Sequence, residues 1–402
     1  MDLKSGYPFW AIKNGLIAAF PKLHGSIEVD ALVVGGGITA ALISRELVAS
    51  GMSVAVVERR DIGWGSTSAS TALLQYEIDT EFLELSELVG EAGATLAYLA
   101  CADSVRRVLH IARGYRGVEA FPLRSLYYAS HFWHGPRLRK ECAARQGIGL
   151  DVELVEHQEL RKKYAIDAHL GLLSQTAAAL DPYQLAYAVL RGLARTGIAV
   201  HDHTVMSNFK PRRGGVDVEF ESGASARCKH LVLACGYETQ AWLDPRVARN
   251  RSSYAYITDP QETDLGALAN TMIWESARPY LYLRRTRDRR LLIGGEDDEI
   301  DIPARRDGRV ASKAATLQKR AESLFPAFDW TPAFAWAGTF AETEDGLPWF
   351  GPHEQHGPHV HFAMAYGGNG ITYSQIGAEI LAKSLCGEKH PLQRLFSFSR
   401  LD

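Results

Sequence analysis

Gly35, Gly37 and Ala40 stand in the spacing Gly-x-Gly-x-x-Ala directly behind the apolar run Ala31-Leu32-Val33-Val34. The first glycine permits a tight turn and the second lets backbone approach a diphosphate, while a small third residue lets the next helix pack on its strand. A helix opening at Ile38 and Thr39 offers unpaired N–H groups and the positive end of its dipole to phosphate oxygens. Glu58, followed by Arg59, lies about 20 residues further on, where a carboxylate accepts from a ribose 2′-hydroxyl. The loop Gly65-Ser66-Thr67-Ser68-Ala69-Ser70-Thr71-Ala72-Leu73 is small and rich in hydroxyls. Its backbone can come close to a diphosphate and a planar ring, and Ser66, Thr67, Ser70 and Thr71 can satisfy oxygens. Far along the chain, Gly338 precedes a second Gly-rich turn, Gly367-Gly368-Asn369-Gly370-Ile371-Thr372, that feeds a helix. Donors fixed there suit the edge of a flavin ring that gains negative charge on reduction. Alone, each segment also reads as an ordinary turn or Ser/Thr loop; their combination points to a dinucleotide.

The elements that must position these residues follow from periodicity. Ala31–Val34 and Val54–Val57 are continuous apolar runs, as strands buried on both faces are, and the helix between them stops at Gly51. Asp181-Pro182 caps a helix running to Arg195, and Ile198–Val200, Val216–Phe220 and Ala226–Leu233 read as strands. A strand at His361–Ala365 precedes a helix from Ile371 to Leu385. Antiparallel strands are expected at Tyr254–Ile257, Tyr280–Leu283 and Leu291–Gly294, and a short amphipathic helix within 7–20. Tyr280 and Tyr282 alternate, so both face one side of their sheet. Tyr254, Tyr256 and Trp274 read as packing residues. The Arg278–Arg290 and Glu296–Asp301 stretches read as a solvated, charge-paired hairpin.

The predicted fold class is α/β: a Rossmann-like domain from residues 28–85, 171–240 and 336–390, interleaved with an α+β substrate domain from 86–170 and 241–335 on a mixed or antiparallel sheet. Residues 1–27 form an N-terminal extension. The 402 residues carry 46% hydrophobic residues and a formal net charge of −3, which gives no field for nucleic acid. Five scattered cysteines without CxxC spacing argue against zinc or a disulfide framework and suit a reducing compartment; no metal is expected. No leader and no membrane span stand out, so the cytoplasm is the expected location.

The segments VVGGGITA…VVERR, HLVLACG, YLYLRRTRDRRLLIGG and WAGTF…DGLPWFG…YGGNGIT together resemble the D-amino-acid-oxidase (DAO) superfamily of flavoproteins, which includes glycine oxidase, sarcosine oxidase, D-amino-acid dehydrogenase and gamma-glutamylputrescine oxidase. The resemblance runs from about residue 30 to 386. It implies FAD, with Gly35, Gly37, Ile38, Thr39, Glu58 and Arg59 at the ADP half and Ser66 to Leu73 along the pyrophosphate and ring. It places Val205 and Gly236 on the adenosine side, and Gly338 and Gly368 to Thr372 at the pyrimidine edge. It also implies hydride transfer to flavin N5 from a small-molecule amine or amino-acid-like substrate that meets Tyr280 and Tyr282.

Two departures matter. Amino-acid-oxidising relatives carry an arginine for the substrate carboxylate just after the WAG-x element, where this chain has Phe340. Covalent relatives use a cysteine near that element or a histidine after Glu58, and this chain has neither, so FAD is expected to be non-covalent. An NAD-dependent dehydrogenase and a non-catalytic flavin-binding subunit are the alternative readings. Dioxygen or another compound is the acceptor, and the oligomeric state is not legible.

Overall fold

The structure is a computed structural model and describes residues 3–299 and 302–401; Asp301 of the acidic stretch lies outside them. Two sheets organise the described chain. In the first, the strands run in the order Trp349–Pro352, Val360–Met364, Ser225–Leu233, Ser26–Val34, Val54–Val57, Ala199–His201. Its centre is parallel, with Val34 opposite both Val57 and Leu233. The central residues Ala31 to Val33 and Val54 to Val57 are all buried, since helices cover both faces. The Met206–Arg212 and Gly215–Phe220 hairpin extends it antiparallel from Ser225–Leu233.

The second sheet runs Pro332–Glu342, Arg249–Thr258, Leu291–Asp298, Leu281–Arg285, Thr271–Glu275, Ala120–Tyr128, Leu170–Leu180, Leu73–Gln75, with Val152–Glu156 also on Leu170–Leu180. It is mixed, because Thr271–Glu275 pairs parallel with Ala120–Tyr128 while its other neighbours are antiparallel. An α/β chain with a Rossmann-like part and a mixed sheet is thus the observed architecture. Sheet membership differs from the expected segment boundaries at Leu73–Gln75, Leu170–Leu180 and Pro332–Glu342, which pair in the second sheet; a two-part division is proposed with these strands counted there.

Local chemistry explains the joints. Asp181 caps the helix Pro182–Arg195 by accepting from Tyr183 N–H at 3.1 Å and Gln184 N–H at 2.9 Å. The helix Phe82–Arg113 has no cap of its own; Glu141 supplies one, accepting from Phe82 N–H at 2.6 Å and Leu83 N–H at 3.1 Å. Among the described residues of the N-terminal extension the helix is Phe9–Asn14, shorter than the apolar pattern over 7–20 suggests. Ahead of it the chain lies along Pro332–Glu342, with Ser5 N–H on Ala337 O at 3.0 Å and Thr339 N–H on Leu3 O at 2.9 Å.

Candidate functional site

A cavity of about 610 Å³ is lined from both sheets, and the fingerprint turn forms one wall. Gly35 has φ +125°, and a Cβ there would sit 2.3 Å from the Ala234 carbonyl oxygen, so only glycine fits. Gly37 is extended and serves as N-cap of the helix Ile38–Ala49 with no side chain to cap it; Thr67 Oγ1 takes the Ile38 N–H, and the helix end beyond that bond opens on the cavity for a ligand. Glu58 is held by the turn itself: Oε2 accepts from Gly36 N–H at 2.6 Å and Oε1 from Arg60 N–H at 2.8 Å. Burial raises its pKa, and those two N–H donors oppose the rise. Arg59 pairs with Glu238, a residue sequence reasoning did not single out. The Val205 carbonyl accepts from Glu221 N–H at 3.0 Å, fixing that peptide in the wall beside Gly236.

The hydroxyl loop is held from behind by three carbonyls in succession. Trp336 Nε1 donates to Ala69 O at 2.8 Å, Trp10 Nε1 to Ser70 O at 2.7 Å, and Arg284 Nε to Thr71 O at 2.8 Å. Thr67 Oγ1 accepts from Ile38 N–H at 3.0 Å and joins loop to fingerprint helix. Ser70 Oγ accepts from Ala72 N–H at 3.1 Å, and Ala72 has φ +50°. The Ser66 hydroxyl lies buried in the cavity wall without a hydrogen-bond partner, an oxygen that an acceptor on a bound diphosphate would satisfy. With the uncapped helix end and the bare Gly37 surface, these residues fit the ADP portion of FAD. Trp10→Phe removes one of the three anchors without altering the cavity surface. It is expected to weaken FAD binding by about tenfold, the effect of one buried hydrogen bond, measured by FAD titration of the apoprotein.

The Arg278–Arg290 reading is corrected here. Arg284 is 1% exposed and also reaches Leu180 O at 3.3 Å and Arg285 O at 3.1 Å. Burial lowers its pKa to about 10. It is an internal clamp on the cofactor loop rather than a solvated charge.

The second Gly-rich turn docks on the segment after Leu73–Gln75. Asn369 Nδ2 donates to Glu77 O at 2.5 Å, Thr372 Oγ1 to Gln75 O at 3.3 Å, and Gly368 N–H to Asp79 Oδ2 at 3.1 Å. The helix Gly370–Leu385 begins at N-cap Asn369 without a side-chain cap, so a second helix N-terminus opens on the cavity. The two helices touch through hydroxyls, Thr39 Oγ1 and Ser374 Oγ, at 2.7 Å.

The remaining wall is aromatic and acidic. The rings of Tyr280 and Tyr282 lie 5.7 Å apart, on one face as their alternation requires. Burial pushes Tyr282 up to about 12 and Tyr280 well above its usual value, so both stay phenols. Trp274 stacks on Tyr127 at 3.9 Å and lines the cavity, as does Tyr254, while Tyr256 packs in the core of the second sheet. Phe340 is buried in the wall beside Gly338 and Thr339.

Asp79 and Asp297 complete this region, and sequence reasoning named neither as a site residue. Asp297 Oδ1 is buried and has no hydrogen-bond partner. Burial, then the nearby carboxylates of Asp79 and Glu342, push its pKa up to about 7, against Ser253 and Arg278. Strict alternation along Leu291–Asp298 would turn Asp297 away from Gly294 and Tyr282. A bulge, visible as the register shift between Ser252 and Tyr254 and as φ +55° at Glu296, adds a residue and returns it to the cavity.

Every residue expected at the cofactor lines this one cavity, from Gly35, Gly37, Ile38, Thr39, Glu58 and Arg59 through Ser66, Thr67, Ser70, Thr71, Ala72, Leu73, Val205, Gly236 and Gly338 to Gly368, Asn369, Gly370, Ile371 and Thr372; so do Tyr280, Tyr282 and Phe340.

Residues 30–384 match the family model DAO, described as FAD dependent oxidoreductase. Glycine oxidase of Geobacillus kaustophilus is 28% identical over 377 residues, covering 88% of this chain and 92% of that protein. Gamma-glutamylputrescine oxidoreductase of Escherichia coli is 22% identical over 405 residues, covering 98% and 91%. The crystal structure of the Geobacillus glycine oxidase superposes with a TM-score of 0.73 at 19% identity, over 93% of this chain and 99% of that one. That likeness shows a shared fold.

Proposed function

Since the chain belongs to the DAO family of FAD-dependent oxidoreductases, we propose that it oxidises the C–N bond of a small amine, with FAD held non-covalently between the fingerprint helix and the Gly367–Thr372 turn. The observation that carries amine over amino acid is the charge of the wall. Among the described residues lining the cavity the cations are Arg59 and Arg60, which belong with Glu58 and Glu238 at the dinucleotide turn. Beside the tyrosines the charged groups lining this cavity are Asp79 and Asp297; Arg278 lies 4.5 Å over the Tyr280 ring but lines the adjoining cavity and gives a hydrogen bond to the Asp79 backbone carbonyl. A substrate carboxylate finds no partner there, and Phe340 stands where the resemblance would place one; an ammonium finds two carboxylates.

A flavin bound in this cavity would supply a two-electron acceptor for the substrate's hydride. The chain's part is to orient the C–H bond and to keep water away. Tyr280, Tyr282 and Trp274 wall the amine, and the two tyrosines remain donors across the physiological range. As the carbon loses its hydride, the nitrogen gives a proton to solvent; water adds to the resulting imine and leaves a carbonyl product and ammonia. The two electrons pass on to dioxygen or another acceptor. The NAD-dependent and non-catalytic readings are not favoured, because the family matched consists of FAD-dependent oxidoreductases.

Turnover of the FAD-loaded protein with primary amines and a dye acceptor is expected to yield carbonyl product and ammonia in equal amounts, one of each per two electrons. Keto-acid production from amino acids, with amines inert, would contradict the choice of substrate. For the cofactor, acid precipitation is expected to leave all flavin in the supernatant. The cysteine in the cavity wall, Cys235, is a thiol pushed up to about 12 by burial, with Sγ on Val34 O at 3.3 Å. Yellow colour remaining with the pellet would overturn the non-covalent assignment.

A further inference from the structure

A second cavity, of about 540 Å³, adjoins the first and shares Asp79, Tyr280, Asp297 and Gly367 with it. Its other charged lining groups are Asp298, Glu299 and Glu342 against Arg251 and Arg278. The outer charges are largely spoken for: Arg251 pairs with Glu342 and with Glu299 at 3.0 Å, and Arg309 with Asp298 at 3.0 Å. Where the cavities meet, the balance differs. Neither Asp79 nor Asp297 forms a side-chain ion pair among the described residues, and Asp297 Oδ1 points at no donor although it is buried. The nearest cation, Arg278, lies 4.5 Å over the Tyr280 ring and gives its hydrogen bond to the Asp79 backbone carbonyl at 3.3 Å. Two carboxylates against one guanidinium leave a negative charge at the junction, next to an aromatic ring. A buried carboxylate oxygen without a donor, as Asp297 Oδ1 is, is costly unless a ligand supplies one, while the half-buried Asp79 accepts, among the described residues, from Gly368 N–H alone.

We propose that the substrate is an amine carrying a second, non-reacting cationic nitrogen, a diamine or polyamine, whose distal ammonium is held by Asp297 and Asp79 at the junction of the two cavities. This rests on the amine-oxidising reading and adds the class of amine. The reacting nitrogen enters the aromatic inner cavity, and the methylene chain runs outward past Tyr280. An ammonium at the junction donates to Asp297 Oδ1 and meets the face of Tyr280.

Calorimetric titration of the FAD-loaded protein, under anaerobic conditions, with putrescine and with butylamine of the same length isolates the distal nitrogen. Putrescine is expected to bind about 10- to 100-fold more tightly, the range of one hydrogen bond to a charged group in a buried site. Asp297→Asn is expected to remove most of that advantage, lowering putrescine binding more than butylamine binding, and Asp79→Asn to lower it in the same direction. The advantage also shrinks as pH falls through about 7, where the raised Asp297 carboxyl takes up its proton; the groups facing it are Asp79, Glu342, Arg278, Ser253, Tyr280 and Tyr282. Equal binding of the two amines, or an Asn variant that weakens both alike, would overturn the proposal. A diamine that binds selectively without bleaching the flavin would keep the cation site and sink the amine-oxidising reading; monoamines that bleach it as readily as diamines would do the reverse.

Discussion

Gly37→Val is expected to purify as a folded but colourless protein. Gly37 is extended, a conformation that valine adopts freely, and the nearest obstacle to a Cβ is the Thr67 hydroxyl at 2.9 Å, whose turning aside gives up its bond from Ile38 N–H at a cost of about 1 kcal/mol. Folding therefore has little reason to fail. The branched side chain would project where the helix N–H groups must meet a diphosphate, and close backbone approach is the role the second glycine plays. FAD affinity is expected to fall at least about 100-fold, or about 2.7 kcal/mol. FAD titration, with circular dichroism as the control for folding, checks it. Gly35→Ala differs in kind. At φ +125° and 2.3 Å from the Ala234 carbonyl, a Cβ forces two central strands apart, so loss of soluble protein is expected.

Arg145→Met is expected to destabilise the fold by about 3–5 kcal/mol, the cost of leaving buried carboxylates without their cation, out of a typical total of about 5–15 kcal/mol. Arg145, Glu141 and Glu77 are each no more than 1% exposed. Arg145 Nε donates to Glu141 Oε1 at 2.8 Å, and its guanidinium lies 5.3 Å over the Tyr98 ring. Burial raises Glu77, and the charge of Arg145 is the main opposing influence. The cluster reaches the site through two backbone contacts: Glu141 caps the helix Phe82–Arg113, and the Glu77 carbonyl holds the Asn369 side chain beneath the second Gly-rich turn. Denaturant unfolding at fixed excess FAD is the measurement, since ligand concentration shifts apparent stability. Arg145→Met with Glu141→Gln should recover part of the loss. A loss below about 1 kcal/mol in the single variant would show that the buried pair is not what holds this corner.

The parts legible in the sequence are those fixed by short spacings. The strand Val54–Val57 and the helices starting at Ile38 and Pro182 fall where their apolar periods and caps place them, because glycine and Asp-Pro punctuation acts within a few residues. The cavity-lining residues of the fingerprint turn and the hydroxyl loop were legible for the same reason, and the shared face of Tyr280 and Tyr282 through simple alternation, whereas Val205, Gly236 and Gly338 were expected there only through the family resemblance. Contacts made at long range were not. Nothing near Trp10 shows that it holds Ser70 from 60 residues away. Arg284 looked like one member of a charged hairpin because arginine is usually solvated, and only the converging carbonyls of Thr71, Leu180 and Arg285 explain its burial. Asp297 was hidden twice, inside an acidic run and behind a bulge that reverses its face. Asp79 follows the loop that the sequence did mark, yet no spacing brings it to Gly368.

The most direct test of the central claim is an anaerobic visible spectrum of the purified protein titrated with an amine. The account predicts a flavin band in about equal amount to protein, bleached by the amine and restored by an electron acceptor. A protein that takes up no flavin even when FAD is added, or a bound flavin that amino acids bleach while every amine leaves it oxidised, would contradict it.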